Sequence, residues 1–335
     1  MKQPLIFAIE TSCDETSVAL LRGPSDLIYH KISSQIDIHK PFGGVVPEVA
    51  SRKHLEMVHP MIEEAFSETG LAFSDIDLIG VTKGPGLVGA LLVGIAAAKA
   101  MAFSLDIPFV GVNHMHGHLA ANELCHPELP YPHLSLVVSG GHTYLIEVHD
   151  RLDYTLHGTT RDDAAGEAFD KTARALGMDY PGGALIQKAS EQGDPARYTL
   201  PRVLLEKGSY DFSFSGLKTA VLQLLAKEKE KPDYKMEDIA ASFQEAVVDT
   251  LVIKTMRLVK ETGIHDVTLS GGVAANARLR EKLEHALADV GGTLYAPSVI
   301  LSTDNAAMIG TAAYYTWKKQ GSDDYTMGVY PSLAL

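Results

Sequence analysis

Residues 5–21 and 134–148 are built to one plan: an apolar run, a tip of small and polar residues, and a second apolar run. In the first the pieces read LIFAIE, TSCDET and SVALL; in the second they read LSLVV, SGGHT and YLIEV. Each predicts a β-hairpin with a tight Ser/Thr/Gly tip. A chain of 335 residues is too long for one ordinary core and suits two lobes. Two similar hairpins opening two halves, with strands and helices in mixed order, point to a duplicated α/β architecture.

The segments between and beyond the hairpins fit that plan. Residues 47–68 have helical apolar spacing and start with Pro47, which suits a first helical position. Pro60 kinks or divides that run. Residues 76–86 read as a strand into a Gly-Pro-Gly turn, 87–104 as a helix rich in Gly and Ala, and 107–112 as a short buried strand. The run 86–98 is the most apolar of the chain, but it ends at Lys99, which is short for a membrane span and fits a buried helix. In the second half, 162–177 predicts a helix with Glu167–Lys171 and Asp170–Arg174 at i, i+4, each a surface pair contributing about 0.3–0.5 kcal/mol. Residues 180–183 read as a turn, 225–235 as a Lys-rich solvated loop, and 236–260 as a long helix. Residues 267–287 read as a strand, a Gly-Gly turn and a helix, and Asp304 stands at a helix start.

Composition narrows the function. Apolar residues make up 46% and charged residues 21%, as in a globular chain. The formal charge of −13 argues against a general nucleic-acid binder, whose affinity rests on neutralising phosphates. A local basic strip or a partner protein is still compatible with it. Two cysteines, Cys13 and Cys125, form no disulfide framework and fit a reducing cytosol. The N-terminal residues have only a short apolar run before charges begin, so a signal peptide is not expected there, nor is membrane attachment.

Chemistry is concentrated in two kinds of motif. The stretch NHMHGHLAANEL, residues 113–124, places His114 and His118 at i, i+4 on one helix face, where they can share an ion. The protease pattern H-E-x-x-H has this spacing, but position 115 is Met, so its general base is missing. On spacing alone the alternative is a partly exposed, His-rich helix start. The second kind is three glycine tips: SGGHT at 139–143, Gly182–Gly183 after Pro181, and SGGVAAN at 270–276. Such turns expose backbone N–H groups and form anion nests. Neither G-x-x-x-x-G-K-[ST] nor G-x-G-x-x-G is present, which disfavours P-loop and Rossmann proteins. Two hairpin tips with a third Gly-Gly turn suggest a two-lobed nucleotide binder of the actin, Hsp70 and sugar-kinase class.

Ten segments then resemble one family in order and spacing. They are IETSCDET (9–16), GGVVPEVASRKH (43–54), GPGLVGALLVG (84–94), NHMHGHLAA (113–121), VVSGGHT (137–143), DDAAGEAFDKTAR (162–174), YPGG (180–183), DFSFSGLKT (211–219), SGGVAAN (270–276) and TDNAAMI (303–309). The chain resembles the bacterial form of the tRNA threonylcarbamoyladenosine transferase family, formerly described as O-sialoglycoprotein endopeptidases. The resemblance implies an α/β, two-lobed actin/Hsp70/sugar-kinase-like fold with duplicated mixed sheets flanked by helices. The lobes expected are 1–130 with about 305–335, and 131–304. It implies one divalent metal per subunit on His114, His118 and Asp304. Two imidazoles and a carboxylate suit iron, which is favoured, or zinc. The family leaves His116 out. It implies nucleotide and substrate contacts at Val137, Val138, Ser139, Gly140, Gly141, Asp170, Gly183 and Asn276. Asp170 would accept ribose hydroxyls, Gly183 would let backbone approach the nucleoside, and Asn276 would offer a donor and an acceptor.

The implied reaction moves a threonylcarbamoyl group from threonylcarbamoyl-AMP to N6 of the adenosine 3′ of the anticodon, in tRNAs reading codons that begin with A. AMP leaves. Glu10 and Glu15, with Asp14, are candidates for a direct catalytic role; otherwise they shape the hairpin tip or bind water near the metal. The implied partners are tRNA, a catalytically inactive paralogue and a small P-loop ATPase, all cytoplasmic. The paralogue is expected to pair through the helices at 47–68 and 87–104, whose small-residue face at Gly89, Gly94, Ala97 and Ala98 would pack helix on helix. Three rival readings remain. A metalloprotease would cleave glycoprotein and not bind an adenylate. A non-catalytic ATP-binding module would tolerate loss of His114 and His118. A sugar kinase would need a sugar motif that the sequence does not display.

Overall fold

The computed structural model describes residues 3–203 and 208–335. They divide into two compact units, Met1–Leu129 with Ile300–Leu335, and Pro130–Val299. Asp304, which the sequence reading put at the end of the second lobe, therefore belongs to the first unit.

In chain order the elements of the first unit are β1 (Leu5–Glu10), β2 (Glu15–Arg22), β3 (Asp26–Ser34), helix α1 (Pro47–Thr69), β4 (Leu78–Gly84), α2 (Val88–Leu105), β5 (Phe109–Asn113) and α3 (His114–Cys125). The second unit holds β6 (His133–Val138), β7 (Thr143–Asp150), β8 (Asp153–Thr159), α4 (Ala165–Ala175), α5 (Gly182–Ser190), α6 (Ser215–Glu228), α7 (Met236–Thr262), β9 (Asp266–Ser270), α8 (Ala277–Ala288) and β10 (Thr293–Tyr295). Helix α9 (Ala306–Gln320) returns to the first unit.

The two sheets have one topology. The first runs β3-β2-β1-β4-β5 and the second β8-β7-β6-β9-β10. In each, an antiparallel three-strand meander is extended by two parallel strands. The repeated hairpin is thus the start of a repeated sheet, and the mixed, duplicated α/β fold expected from sequence is the one observed.

Strand periodicity assembles the first unit. Leu5, Phe7 and Ile9 of β1 face a cluster with Val58, Met61, Ile62 and Phe66 of α1 and Val93, Ile95 and Ala98 of α2. Ile6 and Ala8 face the opposite way, against Ala306, Ile309, Ala312 and Ala313 of α9. Both faces are buried, so the strand is continuously apolar. At Gly80 a β-carbon would lie 2.6 Å from Ala313 Cβ, so glycine lets α9 sit directly on β4. In the second unit Leu134, Leu136, Val138, Val267 and Leu269 pack with Phe169 of α4, Phe243 and Leu251 of α7, and Leu279 and Leu283 of α8.

Several local expectations change. Helix α1 runs unbroken across Pro60, which lies on its exposed side. Pro181 and Gly182 do not merely turn the chain, because Gly182 opens α5. The Lys-rich segment begins helically, since α6 extends to Glu228. Helix α2 spans 18 residues and is long and apolar enough to cross a membrane, though Leu91, Val93, Ile95 and Ala98 are buried within the unit.

The small-residue face of α2 is used inside the chain. A side chain at Gly89 would meet Ser51 Oγ of α1 at 2.3 Å, one at Gly94 would meet Thr11 Oγ1 at 2.5 Å, and Ala98 is fully buried. What α2 and α1 expose instead is Val88, Leu92, Phe103 and Leu55.

Candidate metal centre

Strand β5 ends at Asn113, whose side-chain oxygen accepts from Met115 N–H at 2.9 Å. That cap starts α3 at His114 and sets its first turn facing inward. His114 and His118 lie one turn apart with ring centroids 4.7 Å apart, both buried. Gly117 lies between them, where any side chain would stand 2.8 Å from Ile309 Cδ1. Its absence lets α9 approach α3. Asn305 caps α9 by accepting from Met308 N–H at 3.0 Å, and Ala306 N–H donates to Ser17 Oγ at 2.9 Å. Asp304, the residue before that cap, is thereby fixed beside the histidines.

Asp304 Oδ1 lies 3.4 Å from His114 Nε2 and 3.3 Å from His118 Nε2. One ligand atom from each residue falls within 4.8 Å of the others. Donors at the tetrahedral angle on one ion, with bonds of about 2.0–2.1 Å, stand roughly 3.3–3.4 Å apart. His118 is wholly buried, its Nδ1 has no hydrogen-bond partner among the described residues, and the polar atom against its Nε2 is Asp304 Oδ1 at 3.3 Å. A buried imidazole so sparsely bonded is costly, and an ion at Nε2 would offset part of that cost. The residues present therefore fit a metal. His116 points elsewhere: burial, with Lys83 and Lys319 nearby, pushes its pKa down to about 4.

Behind His114 stands Glu10, completely buried at the end of β1. Its Oε2 lies 3.1 Å from His114 Nδ1 and accepts from Thr82 Oγ1 at 2.5 Å; its Oε1 accepts from Ser12 N–H at 2.5 Å. Ser12 Oγ is a further 3.2 Å from His114 Nδ1. A carboxylate on the far nitrogen of a ligating histidine fixes its orientation and tautomer. Burial opposes charge throughout this cluster. For His114 the Asp304 and Glu10 carboxylates outweigh it and hold the imidazole pKa well above its ordinary value. Burial is likewise overcome at Asp304 and Glu10, both held low by His114. For His118 burial wins, and the ring stays neutral.

Glu15 is differently placed. Its Oε1 accepts from Ser34 Oγ at 3.4 Å, and burial, then the charges of Asp14 and Asp304, push its pKa well up. Thr82 gave no sequence signal, and Ser12 and Asn113 stood in family-like segments without a role; their contacts with Glu10, His114 and Met115 show their use.

In the second unit the glycine tips gather at the carboxyl ends of β6 and β9. Val137 and Val138 are buried at the end of β6. Ser139 follows, with its N–H bonded to His142 O at 2.8 Å and its Oγ accepting from His142 N–H at 3.1 Å. Gly140 and Gly141 are exposed, with open space where a side chain would stand, and Gly183 likewise faces open space. Gly271, at φ +90°, is pressed on Val138 O, which a β-carbon would meet at 2.3 Å. The first turn of α4 joins them, as Gly166 N–H donates to Ser139 O at 3.2 Å. Asp170 Oδ1 accepts from Gly182 N–H at 2.7 Å and so anchors the turn before Gly183. Asn276 caps α8 by accepting from Leu279 N–H at 3.0 Å, while its Nδ2 donates to Gln244 Oε1 at 2.8 Å. Both ends of that amide are engaged within the unit. Loops at the carboxyl ends of parallel strands are where open α/β sheets bind ligands.

The fold defines the class first: a duplicated α/β chain with the actin-like fold. Solved structures agree. Full-length HypF, in its phosphate- and nucleotide-bound form, superposes with a TM-score of 0.64 over 96% of this chain and 48% of its own, at 16% identity. The activator of the 2-hydroxyisocaproyl-CoA dehydratase from Clostridium difficile, with bound ADPNP, superposes at 0.54 over 96% and 98%, at 14% identity. At such identities the likeness concerns the fold alone.

Sequence narrows the class. The family model for tRNA N6-adenosine threonylcarbamoyltransferase matches residues 26–311. The enzymes of that name from Clostridioides difficile and Bacillus subtilis are 50% and 49% identical over 100% of this chain, covering 99% and 96% of their own lengths. The chain belongs to the tRNA N6-adenosine threonylcarbamoyltransferase family, a group of tRNA-modifying transferases.

Proposed function

We propose that this chain transfers a threonylcarbamoyl group from threonylcarbamoyl-AMP to N6 of the adenosine immediately 3′ of the anticodon, in tRNAs reading codons that begin with A. N6 bonds to the acyl carbon, the bond from that carbon to the phosphate oxygen breaks, AMP leaves, and N6 gives up one proton. The observation that carries this reading is the cluster of buried His114 and His118 with half-buried Asp304 in a member of this family. Those three residues would hold one divalent ion, iron by preference and zinc as the alternative, which would supply charge stabilisation and orientation to the acyl donor.

The chain's own residues do the rest. Glu10 orients His114, and its oxygens are committed to that role. Glu15, whose pKa burial and the charges of Asp14 and Asp304 raise, is the carboxyl left at the tip for a direct role toward the N6 proton. The backbone N–H groups of the exposed Gly140 and Gly141 and the backbone at Gly183 would hold the nucleotide, with Val137, Val138 and Ser139 setting the loop. Asp170 positions Gly183 through Gly182 and Asn276 fixes the start of α8, so both support that surface as well as facing it.

The acidic chain reaches tRNA with help. Leu55, Val88, Leu92 and Phe103 form an exposed apolar face on α1 and α2, suited to a catalytically inactive paralogue, with a small P-loop ATPase completing a cytoplasmic assembly. The test is a reconstituted reaction with both partners, threonylcarbamoyl-AMP and unmodified tRNA, followed by mass spectrometry of the digested tRNA. Modified adenosine is expected from the native chain and none from His118→Ala. Absence of product from the native chain with metal and partners supplied would refute the transferase reading.

A further inference from the structure

The tip between β1 and β2 is tied down by its carbonyls. Ser12 O accepts from Leu87 N–H at 2.8 Å, Cys13 O from His54 Nε2 at 2.9 Å, and Asp14 O from Gln35 N–H at 3.0 Å. Three successive peptide oxygens are thus fixed by three separate parts of the first unit. Two of the donors are backbone groups that any residue supplies. The third is a side chain, so here the sequence chooses the donor.

His54 lies on α1 and is fully buried, as are Gln35, His39 and Thr16 around it. A carbonyl only accepts, so the proton of His54 sits on Nε2, and Nδ1 accepts from Thr16 Oγ1 at 2.8 Å. Gln35 Nε2 lies 3.5 Å from Ala50 O, and its Oε1 is 3.2 Å from His39 Nε2. His39 Nδ1 accepts from Val46 N–H at 3.3 Å. These bonds give each histidine one tautomer, with the proton on Nε2 in both. Polar groups buried so completely are retained where they fix one geometry.

The geometry they fix is that of the tip against His114. Ser12, next to the clamped Cys13, places its Oγ 3.2 Å from His114 Nδ1 and its N–H 2.5 Å from Glu10 Oε1. We propose that His54 is a positioning residue for the metal centre: by holding the Cys13 carbonyl it keeps Ser12 and Glu10 in register with His114. The proposal rests on the reading of His114, His118 and Asp304 as metal ligands, and it adds a residue that touches none of them.

Two substitutions separate the donor from the bulk. In His54→Gln the amide nitrogen still reaches toward Cys13 O. In His54→Asn the side chain reaches Thr16 but falls short of Cys13. Metal-free protein is titrated with Co²⁺ and followed by its absorption, beside a thermal melt of each metal-free variant. The Gln variant keeps the native Kd to within about threefold, while the Asn variant loses about tenfold or more at a comparable melting temperature. If the Asn variant does not fold, His54→Leu takes its place in the same comparison. A donor-free variant with native cobalt affinity overturns the proposal, and so does a folded Gln variant that has lost tenfold. A native chain that takes up no cobalt overturns the metal centre itself, a different and separately visible result.

Discussion

Replacing Glu10 by Gln removes one charge and almost no volume. The native carboxylate is bonded to Ser12 N–H, Thr82 Oγ1 and His114 Nδ1. The amide oxygen can satisfy only one side. Whichever way it turns, its NH₂ either meets Ser12 N–H or faces the Thr82 and His114 side, so one donor is left without its acceptor. Loss of such an outer partner lowers metal affinity about 10- to 100-fold, or about 1.4–2.7 kcal/mol. A second effect opposes this. In metal-free protein Glu10 also favours the proton on His114, which the metal must displace. A divalent ion carries twice the charge of that proton, so the ion loses more from the substitution and the net sign remains a loss. The native chain should therefore release about one proton on binding metal, with affinity rising as pH rises below the elevated pKa of His114. Calorimetric Zn²⁺ titrations in two buffers of different ionisation enthalpy measure Kd and proton release together. A Glu10→Gln variant with native Kd would refute the argument.

Other outcomes follow from separate parts of the fold. Lys254 is fully buried, and burial pushes its pKa down to about 8. Between about pH 8 and its unfolded value near 10.5 the unfolded chain binds more protons, so stability rises with pH across that window, by up to about 3 kcal/mol. In Lys254→Met that rise disappears and the melting temperature at neutral pH increases, because Ser209 O keeps its bond from Arg257 Nη2 at 2.7 Å; an unchanged pH profile in thermal denaturation would contradict this. Gly80→Val drives a side chain into Ala313 and should cost about 1–3 kcal/mol in denaturant unfolding, whereas an unaltered midpoint would mean that α9 shifts freely. Leu92→Glu on the exposed α2 face should abolish co-elution with the proposed paralogue in gel filtration while leaving the melting temperature of the isolated chain unchanged. Retained co-elution would move the interface elsewhere.

What the sequence determined alone is what local spacing determines. Alternating and continuous apolar runs specify the hairpins and buried strands, because side chains on a strand repeat every second residue. The i, i+4 rule places His114 and His118 together, because a helix turn does so wherever the helix lies. The Gly-Gly turns mark open backbone at strand ends, as at Gly140 and Gly141. Tertiary structure decided what depends on residues distant along the chain. The family resemblance put Asp304 with the histidines, but what brings it there is Gly117 admitting α9 to α3, an approach that residue type alone does not report. Glu10 becomes a holder of His114 because β1 ends beside α3. The glycines of α2, read as a surface for another molecule, instead receive Ser51 and Thr11 of the same chain, since a small residue permits close approach without saying by what. His54 shows the same limit: in sequence it closes a family-like segment on a helix with no role attached, and only the folded chain sets its ring on the Cys13 carbonyl.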